Sequence, residues 1–151
     1  MFRIHALASI LLILAAPVRA DIAAGLAAYD SGDYRAARIA WLICAENGDP
    51  DAQVALAGLY AGGVGVARNF ATAAAWFRRA ARQGDAIAQL NLGEMHANGL
   101  GVDRDPVAAW VWFSRAARAG NDWARGQRDA IAKGLTPARR RDARRRLEAW
   151  R

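Results

Sequence analysis

Cysteine and histidine are nearly absent from the sequence, and their scarcity excludes several kinds of chemistry. Cys44 is the single cysteine of the chain, and His96 is the only histidine after residue 20. Exported proteins that depend on disulfides carry cysteines in even numbers, and a zinc site draws several ligands from cysteine and histidine. We therefore expect no disulfide framework, no metal site and no cofactor.

A hydrophobic run long enough to span a membrane is also lacking. The apolar stretch at residues 6–16 is shorter than the roughly 20 residues that a transmembrane helix needs. A basic residue, Arg3, precedes it, and Pro17 separates it from the small-residue segment Val18-Arg19-Ala20. This pattern predicts a secretory signal peptide over residues 1–20, cleaved after Ala20. We expect a periplasmic or secreted protein with no stable membrane insertion after cleavage; an uncleaved membrane anchor is the alternative.

Lysine occurs once, at Lys133, so almost all of the positive charge is arginine. Residues 21–120 contain nine arginines and ten acidic residues, whereas residues 121–151 contain ten basic and four acidic residues. Beyond the leader, the basic character therefore lies in the C-terminal segment. A basic segment can bind nucleic acid, but export makes a nucleic-acid partner unexpected.

A repeat of 36 residues organises the middle of the chain. When residues 48–83 are aligned with residues 84–119, 17 of the 36 pairs are identical. The identical pairs include a Gly-Asp start, a Gly-x-Gly-Val segment and a Trp-Phe pair. Such self-similarity is typical of repeat proteins, in which stacked units bury a continuous core that no single unit can bury alone.

Each repeat is predicted to contain two helices. In the first repeat, Asp49 is a typical N-cap residue, and Pro50 is suited to the first helical position. A glycine-rich link over residues 62–66 then leads to Asn69, which caps the second helix. The segments on either side show the same signals, so we predict an all-α protein of eight helices. Its units are residues 21–48, 48–83, 84–119 and 120–151, after the leader at 1–20.

These motifs resemble the Sel-one-like repeat (SLR), a relative of the tetratricopeptide repeat (TPR). The pattern Ala-x-x-x-Leu, Gly-x-Gly-Val and Ala-x-x-Trp-Phe-x-x-Ala-Ala-x-x-Gly occurs in residues 48–83 and again in residues 84–119. Residues 25–48 are more similar to a TPR helix pair. The C-terminal residues 120–151 are similar to the closing helix of small exported bacterial members.

The resemblance implies a right-handed α-solenoid whose first helices line a concave face. It also implies protein–protein binding rather than catalysis. A cysteine-rich branch of the family has been linked to β-lactam binding or hydrolysis, but Cys44 alone does not supply the paired cysteines of that branch. We therefore expect a non-catalytic, monomeric module that binds a protein or peptide of the cell envelope. An envelope hydrolase of the cysteine-rich kind is the alternative.

The residues that could carry catalysis have simpler interpretations. His96 aligns with Tyr60, and Cys44 aligns with Ala80, so both are predicted to be packing positions. A buried lone cysteine behaves as a small hydrophobic residue. Neither Ser31, in a turn, nor Ser114 has an evident base partner in the sequence.

The family resemblance places a candidate binding site on the first helix of each repeat. Three residues per repeat lie between the packing positions and are predicted to face the groove: Asp51, Val54, Gly58, Ile87, Leu90 and Glu94. Such a groove would be mostly apolar with an acidic residue at two levels. It would suit a helix or extended segment that carries two or three apolar anchors. The alternative is that Val54 and Leu90 pack between adjacent first helices.

The C-terminal helix offers a second candidate surface. An apolar stripe, Ala143, Leu147 and Trp150, is predicted to close the stack, while Arg141, Arg144 and Arg145 lie on the other side. These arginines are candidate contacts for an anionic envelope polymer. The alternative is the solvated outer face that a terminal repeat needs.

The first prediction concerns processing of the leader. Because Val18-Arg19-Ala20 follows an apolar run of signal-peptide length, we expect the protein recovered from its producing cell to begin at Asp21. N-terminal sequencing of the periplasmic and membrane fractions measures this. Met1 retained on protein in the membrane fraction would contradict it.

Overall fold

The computed structural model describes residues 22–150. The predicted signal peptide at 1–20 and the predicted cap residue Asp21 lie outside the described residues. Within residues 22–150 the structure contains eight helices and no strand, as predicted. They are α1 Ile22–Asp30, α2 Tyr34–Glu46, α3 Pro50–Gly62, α4 Phe70–Arg82, α5 Ala86–Asn98, α6 Pro106–Arg118, α7 Asp122–Gly134 and α8 Pro137–Glu148.

The predicted cap residues begin the helices. The side chain of Asp49 accepts a hydrogen bond from the N–H of Ala52 at 3.0 Å, and Asp85 accepts from Ala88 at 2.6 Å. The same type of bond begins each of the other helices from α2 onward, at Asp33, Asn69, Asp105, Asn121 and Thr136. These bonds satisfy backbone donors that have no partner within the helix. They set the helix boundaries that the sequence predicted.

The helices stack in chain order, and each packs against the next from α1 to α7. The chain is therefore a row of antiparallel helix pairs, and α8 turns back to pack on α6. The Gly-x-Gly links help the units approach each other. Gly65 lies against Tyr34 and Gly101 lies against the backbone of Phe70, so any side chain at either glycine would collide with the preceding pair.

The core repeats with the same period as the sequence. The second helices of the first three units, α2, α4 and α6, each bury an aromatic ring at one equivalent position, namely Trp41, Phe77 and Phe113. Alanines on the same helix faces are fully buried beside these rings. In α4 and α6 these buried residues form the face of each helix that packs into the core.

Where the first helix of a pair meets this ring, it carries a very small residue. In α5 this residue is Gly93, where an added Cβ atom would lie 2.6 Å from the ring of Phe113. The equivalent residue of α3 is Ala57, which is fully buried. The first helices of both repeats therefore carry a small, buried residue at the position that meets the ring in the second repeat.

Helix α8 closes the stack through the predicted apolar stripe. Ala143 and Leu147 are buried, and the Trp150 ring lies 5.4 Å from the ring of Trp112. Trp110, which has no aromatic counterpart in the first repeat, is partly buried against the cluster that contains Ala143.

One polar contact fastens α8 to the start of α6. Arg146 lies 3.2 Å from the carboxylate of Asp105, the N-cap residue of α6. Partial burial alone would raise the pKa of Asp105, but backbone N–H groups of the first turn and Arg146 hold that pKa below its ordinary value. The carboxylate therefore stays charged while it caps α6 and pairs with α8.

The second prediction concerns the small residue opposite Phe113. We expect Gly93→Ala to lower the free energy of unfolding by about 1–3 kcal/mol, because the new methyl group overpacks a filled site. Urea unfolding measures the change. Gly58→Ala is the matched control, since a Cβ atom there meets nothing within 4 Å. It should stabilise the helix by about 0.5–1 kcal/mol. Equal effects of the two variants would contradict this account of the core.

The third prediction concerns His96, which stands where the first repeat has Tyr60. Burial lowers the pKa of His96 below 6.5, although the carbonyl of Asp103, 3.4 Å from Nδ1, opposes the shift. The unfolded chain therefore binds this proton more readily than the folded chain does. The histidine's contribution to stability is present above pH 6.5 and is lost as the pH falls below it.

His96→Tyr should remove this part of the pH dependence. The measurement is the urea midpoint of the wild type and the variant at about pH 7.5 and pH 5.5, a range in which ordinary carboxylates stay charged. The wild type should lose more stability than His96→Tyr on acidification. Parallel losses in both proteins would show that His96 is not the group responsible.

Candidate functional site

The six residues predicted to face a groove divide into two groups. Asp51, Gly58 and Ile87 are exposed, and the side chain of Ile87 is 58% exposed. Val54, Leu90 and Glu94 are partly buried. The exposed residues of α3 and α5 are free to meet a partner, and Ile87 is the largest apolar one among them.

Val54 and Leu90 also take part in packing. Val54 lies against the main core cluster, and Leu90 lies against the cluster that contains Phe113. Each can present only part of its side chain to a partner. Ile87 is therefore a better probe of binding than Leu90, because substitution of Leu90 would disturb the core as well.

The structure adds two exposed side chains that the sequence interpretation missed. Trp123 in α7 lies 36 residues after Ile87 and is 50% exposed, and the edge of its ring meets Phe113 at 5.7 Å between centroids. Leu26 in α1 is 52% exposed and follows Gly25, just as Glu94 follows Gly93. Extending the 36-residue register into α7 would have found Trp123. The same register does not reach Leu26, because the link between the two helices of the first unit is shorter.

We call the set Leu26, Ile87 and Trp123, with Asp51 and Glu94, the first-helix face. Its three apolar side chains come from α1, α5 and α7, one from each of three units. Within residues 22–150, neither Asp51 nor Glu94 forms an ion pair, so both carboxylates are available to a basic group. The first-helix face therefore combines exposed apolar side chains with unpaired negative charge.

The arginines of α8 form a different surface. Arg141, Arg144 and Arg145 are all exposed, as predicted. Arg145 pairs with Asp142 at 2.6 Å, whereas the structure gives Arg141 and Arg144 no acidic partner among residues 22–150. Exposed ion pairs of this kind contribute little to stability. Two unpaired cations on a solvated helix are therefore available for long-range attraction of an anionic partner.

The hydroxyl groups considered for catalysis are engaged with the backbone. Ser31 donates to the carbonyl of Ala28 at 2.8 Å, and Ser114 donates to the carbonyl of Trp110 at 2.7 Å. Cys44 is buried at the position predicted for it. Among the described residues, no group of three or more histidine, cysteine or acidic side chains could hold a metal ion. Over the same part of the chain, no helix has the length and apolarity needed to cross a membrane.

Comparison with known proteins agrees with this architecture. The family model for the Sel1 repeat matches residues 50–85 and 86–121. No curated protein matches the chain.

Two solved structures are similar over most of the chain. One is c5321, a protective antigen of uropathogenic Escherichia coli strains with an SLR fold, at 31% identity and a TM-score of 0.77 over 83% of this chain. The other is a Sel1 repeat protein from Oxalobacter formigenes, at 30% identity and a TM-score of 0.69 over 74% of this chain. This chain spans only 28% and 46% of the lengths of those two proteins.

The repeat register, the helix pairs and these similarities agree on one architecture. The predicted repeats at 48–83 and 84–119 coincide, within two residues, with the two matched by the family model. Proteins built from such repeats generally mediate protein–protein interactions. The chain is a Sel1 repeat protein, with two matched repeats flanked by a helix pair on each side.

Proposed function

We propose that this protein is a non-catalytic scaffold of the periplasm or the extracellular space, and that it binds a protein partner through the first-helix face. The observation that carries the proposal is the exposure of Leu26, Ile87 and Trp123 on helices of three different units. Exposed apolar side chains on the first helices of several units are typical of interaction sites. The signal-like leader at residues 1–20 supports the assignment to the envelope or the exterior.

The chemistry of the first-helix face defines the kind of partner. Ile87 and Trp123 offer apolar and aromatic surface, and aromatic residues are enriched among the residues that dominate binding energy. Asp51 and Glu94 add unpaired negative charge. The partner segment that fits is a helix or an extended peptide with two or three apolar anchors and a basic residue.

The remaining functions considered have less support. An envelope hydrolase of the cysteine-rich kind needs reactive groups, but Ser31 and Ser114 donate to backbone carbonyls, and Cys44 is buried. An electrostatic anchor to anionic envelope polymers draws support from the exposed Arg141 and Arg144. It would act beside the first-helix face rather than replace it, since charge alone leaves the exposed apolar side chains unexplained.

The fourth prediction tests the first-helix face. We expect Ile87→Asp to weaken binding to the partner by about tenfold or more, which is the cost of losing one important apolar anchor. The partner is first isolated from envelope extract with the wild-type protein. Its affinity for each purified variant is then measured by calorimetry. Because Ile87 is exposed, the far-UV helical signal and the melting temperature should stay close to those of the wild type.

Ile39→Asp is the matched control. Ile39 is 46% exposed on α2, the second helix of its pair, so the same substitution there should leave affinity unchanged. Leu90→Asp should lower affinity too, but together with the melting temperature, because Leu90 also packs against the core. If Ile87→Asp binds as tightly as the wild type, the first-helix face is not the site. Salt-sensitive binding lost in a variant of Arg141 and Arg144 would then indicate the α8 surface.

A further inference from the structure

A cavity of about 290 Å³ lies between the second SLR repeat and the C-terminal helix, away from the exposed residues of the first-helix face. It is lined by Gly84, Gln89, Arg115, Arg118, Ala119 and Trp150. Two of these six residues are arginines and none is acidic. The cavity is therefore positively charged, and small residues leave its centre open.

Arg115 is held in place by two tryptophans. Its guanidinium carbon lies 4.4 Å from the ring centre of Trp150 and 5.4 Å from that of Trp112. Stacking on aromatic rings is favourable for a guanidinium group but satisfies none of its N–H donors. Nη1 of Arg115 is shielded from solvent and has no hydrogen-bond partner.

A buried charged donor without an acceptor is costly. Because solvent does not reach Nη1, a ligand in the cavity would contact Arg115 through the other nitrogens of its guanidinium group. Within residues 22–150, no carboxylate forms an ion pair with either Arg115 or Arg118. Burial lowers the pKa of Arg115, and the positive charge of Arg118 lowers it further. Both effects describe a cation that lacks a counterion.

The preceding repeat shows how such an arginine is normally satisfied. Arg79, the equivalent of Arg115, stacks on Trp76 and pairs with Glu46 at 3.2 Å. The residue equivalent to Glu46 in the next unit is Arg82. The second repeat has therefore lost the acid that its arginine would pair with.

The neighbouring amide has been lost as well. In the first repeat, Gln83 donates to the side-chain oxygen of Gln53 at 3.0 Å. In the second repeat Gln89 takes the place of Gln53, but Ala119 stands where Gln83 would be. Arg82 at the position of Glu46 removes a negative charge. Ala119 at the position of Gln83 leaves space beside Gln89.

We propose that this cavity binds a carboxylate group, which pairs with Arg115 and Arg118 and takes the place of the acid found in the first repeat. A planar carboxylate matches the forked donors of a guanidinium, and Trp150 provides a flat apolar wall for the carbon skeleton attached to it. The guanidinium fork also matches phosphate, but the group that pairs with the equivalent Arg79 in the first repeat is the carboxylate of Glu46. The ligand class is an organic acid or the C-terminal carboxylate of a peptide.

The fifth prediction follows the indole N–H signal of Trp150 by NMR, assigned with Trp150→Phe. Acetate should shift this signal saturably, and chloride at equal ionic strength should not. Arg118→Gln should weaken acetate binding by about tenfold, the value of one charge-assisted hydrogen bond. Ala119→Gln should weaken it similarly, because the longer side chain fills the space that Gln83 occupies in the first repeat. Both variants keep Arg115 between its two tryptophans, so α8 should remain docked.

Arg141→Gln is the matched control, since it removes the same charge from an exposed arginine of α8 that does not line the cavity, and it should bind acetate like the wild type. An acetylated dipeptide acid and its amide distinguish the two sources. Tighter binding of the acid than of acetate indicates a peptide terminus, and equal binding indicates a free organic acid. The proposal is overturned if chloride gives the same shift, if Arg141→Gln weakens binding as much as Arg118→Gln, or if inorganic phosphate binds more tightly than acetate.

Discussion

The contact between one aromatic ring and one glycine holds the helix pairs α1–α2 and α5–α6 together. Phe113 is almost completely buried and occupies the space that a Cβ atom of Gly93 would need. Trp41 stands in the same relation to Gly25. This contact sets the distance between the first and second helices. Once that distance is set, the fully buried alanines beside the ring pack without cavities, which close-packed interiors require.

The stacked units share the same distance between first and second helices, and the stack needs a different surface at its C-terminal end. A repeat whose outer face stayed bare would expose apolar surface, so solenoids end on a unit with a polar outer side. Helix α8 serves this purpose, with Leu147 buried toward the stack and its arginines directed to solvent. The ring of Trp150 packs against the ring of Trp112. The equivalent Trp76 of the first repeat is stacked by the guanidinium of Arg79 and, among residues 22–150, by no other aromatic or cationic side chain. The arginines of α8 thus form the polar outer side of the stack, and Arg141 and Arg144 among them have no acidic partner within residues 22–150.

The repeats are alike in their packing and unlike where they meet solvent. Ile87 replaces Asp51, and Glu94 replaces Gly58, with no change in the helices that carry them. At the C-terminal corner, Arg82 and Ala119 stand where the first repeat has the partners that satisfy Arg79 and Gln53. Divergence at positions that do not hold the fold is the physical basis on which a repeat scaffold acquires binding sites.

The sequence by itself determined the number of helices, their caps and the register of the core, because these depend on contacts within about one helical turn or on a period of 36 residues. It identified Asp49 and Asn69 correctly as cap residues, since a cap needs no knowledge of distant neighbours. Only the tertiary structure decided how much of Val54 and Leu90 is exposed, that Trp123 stands beside Phe113, and that Arg115 lacks an acceptor. The exposure of Val54 and Leu90 depends on how neighbouring helices pack on α3 and α5. The other two properties depend on how α7 and the segment that includes α8 pack against α6. A local pattern carries no information on a contact between residues far apart in the chain.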